Sequence, residues 1–423
     1  MRPTPALMPT PALMPAPAAR PRPRRANHQV ALLQGTAEFF PALVQAMDAA
    51  LSDIQFETYI FDTTGSGADV AQALVRAARR GVRVHLVVDG FGTGRLPAYW
   101  RQAFDEAGVR LQVYSPLGPL GLLLPRRWRR LHRKLCVVDG RVLFCGGINV
   151  LDDWHDPNHG PLAAPRLDFA VRVQGHLVGQ ASDAMEQLWW NLKAGQDARQ
   201  RRLGLALADW RAARAAKLKG RQAQKDGQGM RALLLLRDNI RHRASIERAY
   251  RRAIGRARHE IIIANAYFIP GAKLRRALKL AAARGVRVQL LLQGRYEYFM
   301  QYHAARPVYG ALLAAGVEIH EYAPSFLHAK VAVIDAHGAR PWATVGSSNL
   351  DPLSLLLARE ANVVVKDGAF ARELRARLVQ AMEHAGQRLD AQVYASRPWR
   401  VRALDRIAFG CMRAALWVSG NRY

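Results

Sequence analysis

A short signature occurs twice in this chain, and the repeat constrains the fold more than any other feature. It reads His132-x-Lys134-x4-Asp139 in the first half and His328-x-Lys330-x4-Asp335 in the second. Each copy leads through an apolar stretch to small residues and an asparagine: Gly146, Gly147 and Asn149, then Gly346, Ser347, Ser348 and Asn349. The surroundings repeat as well. RGVRVHLVVDG (80–90) matches RGVRVQLLLQG (284–294), and AGVRLQVYSP (107–116) matches AGVEIHEYAP (315–324). TYIF (58–61) and IIAN (262–265) precede the RGVRV segments by the same distance. One unit stated twice predicts two similar lobes. A signature in both predicts one composite site, to which each half gives an imidazole, an ammonium and an amide.

Each half reads strand, helix, strand, helix, strand, then the signature strand. ADVAQALVRAARRG (68–81) puts Val70, Ala73, Leu74 and Ala77 on one helical face and stops at Gly81. GAKLRRALKLAAARG (271–285) is its partner. VRVHLVV and VRVQLLL are short and apolar, as buried strands are. Strands alternating with helices predict an α/β protein with a parallel or mixed sheet in each lobe, covered by helices. The expected divisions are a disordered arm at 1–28, lobes at 29–192 and 228–390, a basic connector at 193–227 and a basic amphipathic tail at 391–423.

The chain has 423 residues, room for two cores. Its 62 Lys+Arg against 33 Asp+Glu, a net charge of +29, call for an anionic partner, nucleic acid or acidic lipid. Cys136, Cys145 and Cys411 form neither a CxxC pair nor a zinc spacing, which fits a reducing, cytoplasmic-side location. No apolar run approaches the roughly 18–20 residues that span a bilayer. The N-terminus repeats PTPALM and then carries Arg20, Arg22, Arg24 and Arg25; its prolines forbid the helical core of a signal peptide. Met8 and Met14 offer other starts.

The halves differ before the signature. LGPLGLLLPRRWRR (117–130) stands where the second half has only Ser325 and Phe326. Leu122, Leu123 and Leu124 beside Arg126, Arg127 and Trp128 suit a water–lipid interface. A surface loop that packs its leucines inward is the alternative. In the tail, Leu404, Ile407, Ala408, Met412, Ala415 and Leu416 recur at helical spacing, which fits a surface-lying helix or one docked on the core.

Residues i and i+2 of a strand face the same way, so each His and Lys pair projects into one cleft. Asp139-Gly140 predicts a tight hairpin that returns Asn149 beside His132; AHGARP does the same, with a longer turn, for Asn349. Six side chains then converge. One neutral imidazole attacks phosphorus and the other, protonated, serves the leaving alcohol. Lys134, Lys330, Asn149 and Asn349 stabilise the nonbridging oxygens. The set suits a phosphodiester without a metal or cofactor. Asp168 and Glu360 each start a strand-like segment downstream of a motif and are the candidate carboxylates behind the imidazoles. Asp139 and Asp335, at turns, read as structural, with Gly146, Gly147, Gly346 and Ser347.

These residues resemble the phospholipase D superfamily, and closely its bacterial cardiolipin synthase B type. HRKLCVVDG, GGIN, RDN (237–239), NAYFIPG (265–271), LHAK and GSSNLDPLSL carry the likeness, which covers 29–390. The resemblance implies two phospholipase D-like αβα-sandwich lobes facing across a pseudo-twofold axis. It implies His132 as nucleophile, His328 as acid/base, and crossed partners: Glu360 for His132, Asp168 for His328. It implies a peripheral enzyme on the cytoplasmic side of the bacterial cell membrane, bound to anionic phospholipid. That enzyme moves a phosphatidyl group onto the glycerol headgroup of phosphatidylglycerol, with phosphatidylethanolamine as a candidate donor. No nucleic acid is expected, and a monomer suffices. Three competitors stand beside this reading: a lipid-hydrolysing phospholipase D, a metal-independent nuclease, and a binding module with a relic site.

Overall fold

The computed structural model describes residues 28–418 except 117–127, 201, 203, 206, 213–228, 239–243, 297–298 and 352–357. Leu122, Leu123, Leu124, Arg126 and Arg127, most of the arm and most of the connector therefore lie outside the described residues.

Each half builds one mixed sheet, and the two sheets share a strand order. The first runs His28–Gln34, Phe169–Gly175, Val142–Gly146, Lys134–Val138, Asp53–Thr58, Arg83–Asp89, Arg110–Tyr114. The second runs Ala232–Arg237, Ala358–Val365, Trp342–Gly346, Lys330–Ile334, Glu260–Asn265, Arg287–Gln293, Glu318–Tyr322, and adds Gly386–Arg388 at its edge. The signature strand lies in mid-sheet both times. It pairs antiparallel with its hairpin partner on one side and with the first crossover strand on the other.

Alternation along the signature strand explains the layers. Cys136 and Val138 face an outer core under helices Gly35–Asp48, Gly67–Arg79 and Ala98–Ala107, which supply Leu43, Leu74 and Phe104. Leu135 and Val137 face the opposite way, into a central core. Val331 and Val333 of the second copy enter that same core, while Ala332 and Ile334 face the second lobe's own outer helices. Helices Leu177–Arg199 and Gly368–Ala385 complete the central layer with Met185, Leu374 and Leu378. Both lobes thus bury one continuous apolar layer, a driving force that neither sheet satisfies alone.

Local signals set the boundaries. The first crossover helix buries Val70, Ala73, Leu74 and Ala77. It stops where Gly81 turns left-handed, φ 89°, and Val82 N–H returns to Ala77 O at 3.1 Å. Gly285, φ 83°, ends Ala272–Ala283 in the same way. Asp139 and Gly140, φ 51° and 61°, make the tight hairpin. Their carboxylate counterpart across the repeat is Asp335. Asp139 accepts from the amides of Leu51, Ser52 and Asp53 at 2.8–3.0 Å. Asp335 accepts from those of Arg258, His259 and Glu260 at 2.9–3.0 Å. Both acids staple a hairpin to the neighbouring strand, away from the cleft.

The structure corrects the internal alignment. Asp53 pairs with Arg83, and Glu260 with Arg287. Thr58 therefore corresponds to Asn265 and Tyr59 to Ala266, because the second crossover is three residues shorter; TYIF matches NAYF, not IIAN. The helix Leu177–Arg199 also runs through the division expected at 192. Arg130, part of the 117–130 segment read as a water–lipid interface, turns inward to Asp89 at 3.3 Å and to the carbonyl of Ser115. Trp128 is partly exposed, at 39%.

In the tail, helix Trp399–Val418 docks on helix Phe299–Leu313. Asp405, which accepts from His303 at 2.8 Å and from Arg397, is buried together with Ala408. Seating this acid inward leaves Leu404 and Ile407 exposed, so the apolar set does not form one buried stripe. Among the described residues, no helix is long and apolar enough to cross a membrane.

Candidate active site

Backbone pairing between the lobes assembles the site. Arg130–Leu131, just before the first histidine, pairs in parallel with Ala358–Arg359 of the second lobe. His132 N–H then donates to Arg359 O at 3.1 Å. The mirror contact brings Leu327 beside Leu167, and His328 N–H donates to Leu167 O at 2.9 Å. Each histidine is thereby anchored to the residue that precedes the other lobe's carboxylate.

The side chains follow the backbone. His132 Nδ1 lies 2.9 Å from Glu360 Oε1, and His328 Nδ1 lies 2.6 Å from Asp168 Oδ2. Both acids are buried, whereas the imidazoles keep 14% and 25% of their side chains exposed. An Nδ1–H held by a carboxylate leaves Nε2 as the nitrogen presented to the cleft. Lys134 and Lys330 are buried at its floor, where each ammonium donates to the carbonyl of the histidine two residues before it. Asn149 Oδ1 accepts from Ile60 N–H at 3.2 Å. Asn349 is buried, and its Oδ1 has no hydrogen-bond partner among the described residues.

Small residues let the strand that carries each acid pack closely. A Cβ on Gly147 would stand 2.2 Å from Asp168 Oδ1. A Cβ on Gly346 would meet the Asn362 side chain at 2.3 Å, and one on Gly146 would meet the Ala170 backbone at 2.4 Å. Ser347, which follows Gly346 as Gly147 follows Gly146, donates its hydroxyl to Glu360 Oε2 at 2.5 Å. The two halves thus hold their acids differently: Asp168 takes the space left by Gly147 and accepts from Phe169 N–H at 2.8 Å, whereas Glu360 accepts from the Ser347 hydroxyl.

Electrostatics couple the lobes. Burial, and then the like charge of Lys330, lowers Lys134 to about 7. Burial raises Asp168 to about 7, against the pull of Lys330. Burial lowers His132, opposed by Glu360. Burial lowers His328 well below its ordinary value, reinforced by Lys330, Lys134 and His132. A raised acid hydrogen-bonded to a depressed imidazole keeps one proton between them near neutrality. Lys330 and Lys134 repel each other across the floor, and an anion placed between them would relieve that repulsion.

Several contributors lie outside the sequence-derived set. Tyr59 packs edge-on against His132 at 5.0 Å between ring centres, with Lys134 Nζ 5.4 Å from its ring. Asp89 accepts from Leu131 N–H at 2.8 Å and so fixes the short strand Arg130–Leu131 that leads into His132. Arg166, bonded to Asp156 and to the carbonyls of Asp152 and His155, adds positive charge near His328. The corrected alignment is the signal that finds Tyr59, since it sits at the end of a strand whose twin ends at the site.

Comparison with known proteins agrees with this geometry. The family described as "Cardiolipin synthase, PLD-like domain" matches residues 43–159 and 250–384. Cardiolipin synthase B of Escherichia coli is 36% identical over 389 residues, 92% of this chain and 89% of that one. The chain belongs to the phospholipase D-like cardiolipin synthase family. A cardiolipin synthase of Geobacillus kaustophilus is 29% identical over 90% of this chain and 71% of its own length. The fold also has a solved neighbour, phosphatidylserine synthase of Haemophilus influenzae. It has a TM-score of 0.63 at 13% identity, and the match covers 92% of this chain and 95% of that one. That likeness is one of fold: two α/β lobes in one chain.

Proposed function

We propose that this chain is a cardiolipin synthase: a phosphatidyltransferase that passes a phosphatidyl group through a phosphohistidine to the glycerol headgroup of phosphatidylglycerol. The crossed carboxylate–imidazole pairs carry the proposal, because they turn two Nε2 atoms toward one cleft floored by two ammonium groups.

His132 is the nucleophile. Its depressed pKa keeps it neutral, and its Nε2 lone pair attacks phosphorus while Glu360 holds the emerging imidazolium. His328 is the acid: with Asp168 it retains the proton that the leaving alcohol needs. Lys134 and Lys330 stabilise the equatorial oxygens, with Asn149 and Asn349 as further polar groups. In the second step the acceptor hydroxyl gives its proton to His328 Nε2. Its oxygen bonds to phosphorus, and the P–N bond to His132 breaks. Transfer therefore requires an alcohol, not water, beside His328.

The positive chain is drawn to anionic bilayers, at roughly 1 kcal/mol for each Lys or Arg near the surface. A peripheral seat on the cytoplasmic face is proposed with it, and phosphatidylethanolamine or a second phosphatidylglycerol as donor. The test is expression in bacteria that lack cardiolipin, followed by lipid mass spectrometry, with a headgroup-labelled donor to identify the leaving alcohol. New cardiolipin is expected with the wild type and none with His132→Ala. Phosphatidic acid alone would make the enzyme a hydrolase, and cleavage of single-stranded DNA without lipid conversion would make it a nuclease.

A further inference from the structure

The two imidazoles are gripped to different degrees, and the difference lies in what stands beside each. Tyr59 directly follows the strand Asp53–Thr58 and packs its ring against His132, 5.0 Å between ring centres and 61° between planes. The same ring lies on Gly92. A Cβ there would stand 2.8 Å from both ε carbons of the ring and 2.6 Å from the Tyr59 carbonyl oxygen. Two ring carbons at one distance set the tyrosine broadside to the glycine, where any side chain would push it away. Thr93 completes the seat: its hydroxyl donates to Tyr59 O at 2.9 Å and accepts from Phe61 N–H at 3.2 Å. Tyr59 is thus fixed at its backbone and its ring. An imidazole packed on a fixed ring loses rotamers that it would otherwise sample.

One buried carboxylate joins this seat to the histidine. Asp89 Oδ1 accepts from the amides of Phe91 and Gly92, at 2.9 and 3.2 Å, and Asp89 O accepts from that of Thr93 at 3.0 Å. Asp89 Oδ2 accepts from Leu131 N–H at 2.8 Å, one residue before His132. Both sides of the Tyr59–His132 contact are therefore anchored to a single side chain. The second lobe keeps only the last of these ties. Gln293 is the counterpart of Asp89: each is the last residue of its strand, paired with Tyr322 and Tyr114 respectively. Its amide oxygen accepts from Leu327 N–H at 2.9 Å. Ala266, however, stands where the first lobe has Tyr59. Tyr296, three residues past Gln293 as Gly92 is past Asp89, sets its ring against Tyr302 and His303 instead. The His328 side chain is 25% exposed, against 14% for His132.

A nucleophile must meet phosphorus along one line, whereas a proton carrier serves first a leaving oxygen and then an acceptor hydroxyl on another molecule. We infer that Tyr59, seated on Gly92 and Thr93, is a positioning residue that holds His132 in the rotamer that attacks phosphorus, a clamp that the second lobe lacks at Ala266. The inference rests on the phosphohistidine reading above, and it gives the unequal tasks of the two histidines a structural cause. The same ring lies 5.4 Å from Lys134 Nζ, so it steadies the ammonium beside the nucleophile as well.

The test compares Tyr59→Leu, Tyr59→Phe and Gly92→Ala with the wild type on phosphatidylglycerol vesicles. Steady-state transfer gives kcat and KM, and rapid quenching with phosphorus-labelled lipid follows the label onto His132 by mass spectrometry. Tyr59→Leu removes the ring and Gly92→Ala displaces it. Each should lower kcat about a hundredfold, as misplacement of a catalytic group by about 1 Å does, with KM unchanged and the label reaching His132 more slowly to the same degree. Tyr59→Phe keeps the ring and should rescue most of the turnover that Tyr59→Leu loses. Gly92→Ala leaves the tyrosine in the chain, so it decides the question should Tyr59→Leu fail to melt as a folded protein. A folded Tyr59→Leu or Gly92→Ala with wild-type kcat, or with a change in KM alone, overturns the clamp and leaves the phosphohistidine standing. A Tyr59→Phe as slow as Tyr59→Leu overturns the ring as the positioning group. A wild type that turns over with no label on His132 overturns the phosphohistidine reading and this one with it.

Discussion

Gly147→Ala tests how tightly the acid behind His328 must be held. The added Cβ would sit 2.2 Å from Asp168 Oδ1, whereas real Cβ atoms keep beyond 3.0 Å. The carboxylate must then retreat by about 0.8 Å, the difference between those two distances. A shift of that size changes the length or angle of the 2.6 Å contact with His328 by more than a good hydrogen bond tolerates. Misplacement of a catalytic constellation by about 1 Å costs on the order of a hundredfold in rate. Turnover is therefore expected to fall about a hundredfold, with the concentration dependence on lipid little changed. Steady-state transfer at saturating vesicle lipid measures it, and circular dichroism melting confirms the fold. The companion Ser347→Gly removes only the hydroxyl on Glu360, so its loss should be about tenfold or less. A Gly147→Ala enzyme with normal turnover would refute the claim that Asp168 orients His328.

Transfer should show a narrow bell against pH. Its acid limb falls below the ordinary histidine value, where His132 protonates; its alkaline limb lies near 7, where the Asp168–His328 pair loses its proton. Glu360→Gln removes the charge that raises His132, so the acid limb should move to lower pH, and initial-rate profiles check the direction. Asp139 is held below the usual carboxylate range. Burial opposes this, but the hydrogen bonds from Asp53, Leu51 and Ser52 outweigh it. A depressed acid adds stability above its unfolded pKa and loses it as pH falls through the folded one. Asp139→Asn should therefore melt lower than wild type at pH 7, with the gap closing below about pH 4, as scanning calorimetry can follow.

Much of this was legible before any coordinates, and the reasons are physical. The repeat forces two lobes, and each His-x-Lys spacing sets a histidine just ahead of the strand that its lysine begins, Lys134–Val138 or Lys330–Ile334, rather than on that strand as alternation predicted. Gly81, Gly285 and Asp139-Gly140 mark turns because they supply the left-handed backbone those turns need. What spacing could not give was relational. Only the resemblance implied which acid meets which imidazole; backbone bonds from His132 to Arg359 and from His328 to Leu167 decide it. Sequence distance misaligned TYIF because a loop of different length lies between strand and helix, and so Tyr59 was overlooked. The tail's helical period was visible, but the inward turn of Asp405 depends on His303 and Arg397, partners that only packing brings near.

The shared central layer has a consequence for the protein's asymmetry. If identical halves came together as separate molecules, symmetry would give both imidazoles the same surroundings and the same task. Joined by one peptide, the halves are released from that equality. Gly147 can differ from Ser347, Tyr59 from Ala266 and Asp89 from Gln293, while the common oily seam keeps the partners in register. Covalent fusion thereby permits a division of labour that a twofold dimer forbids.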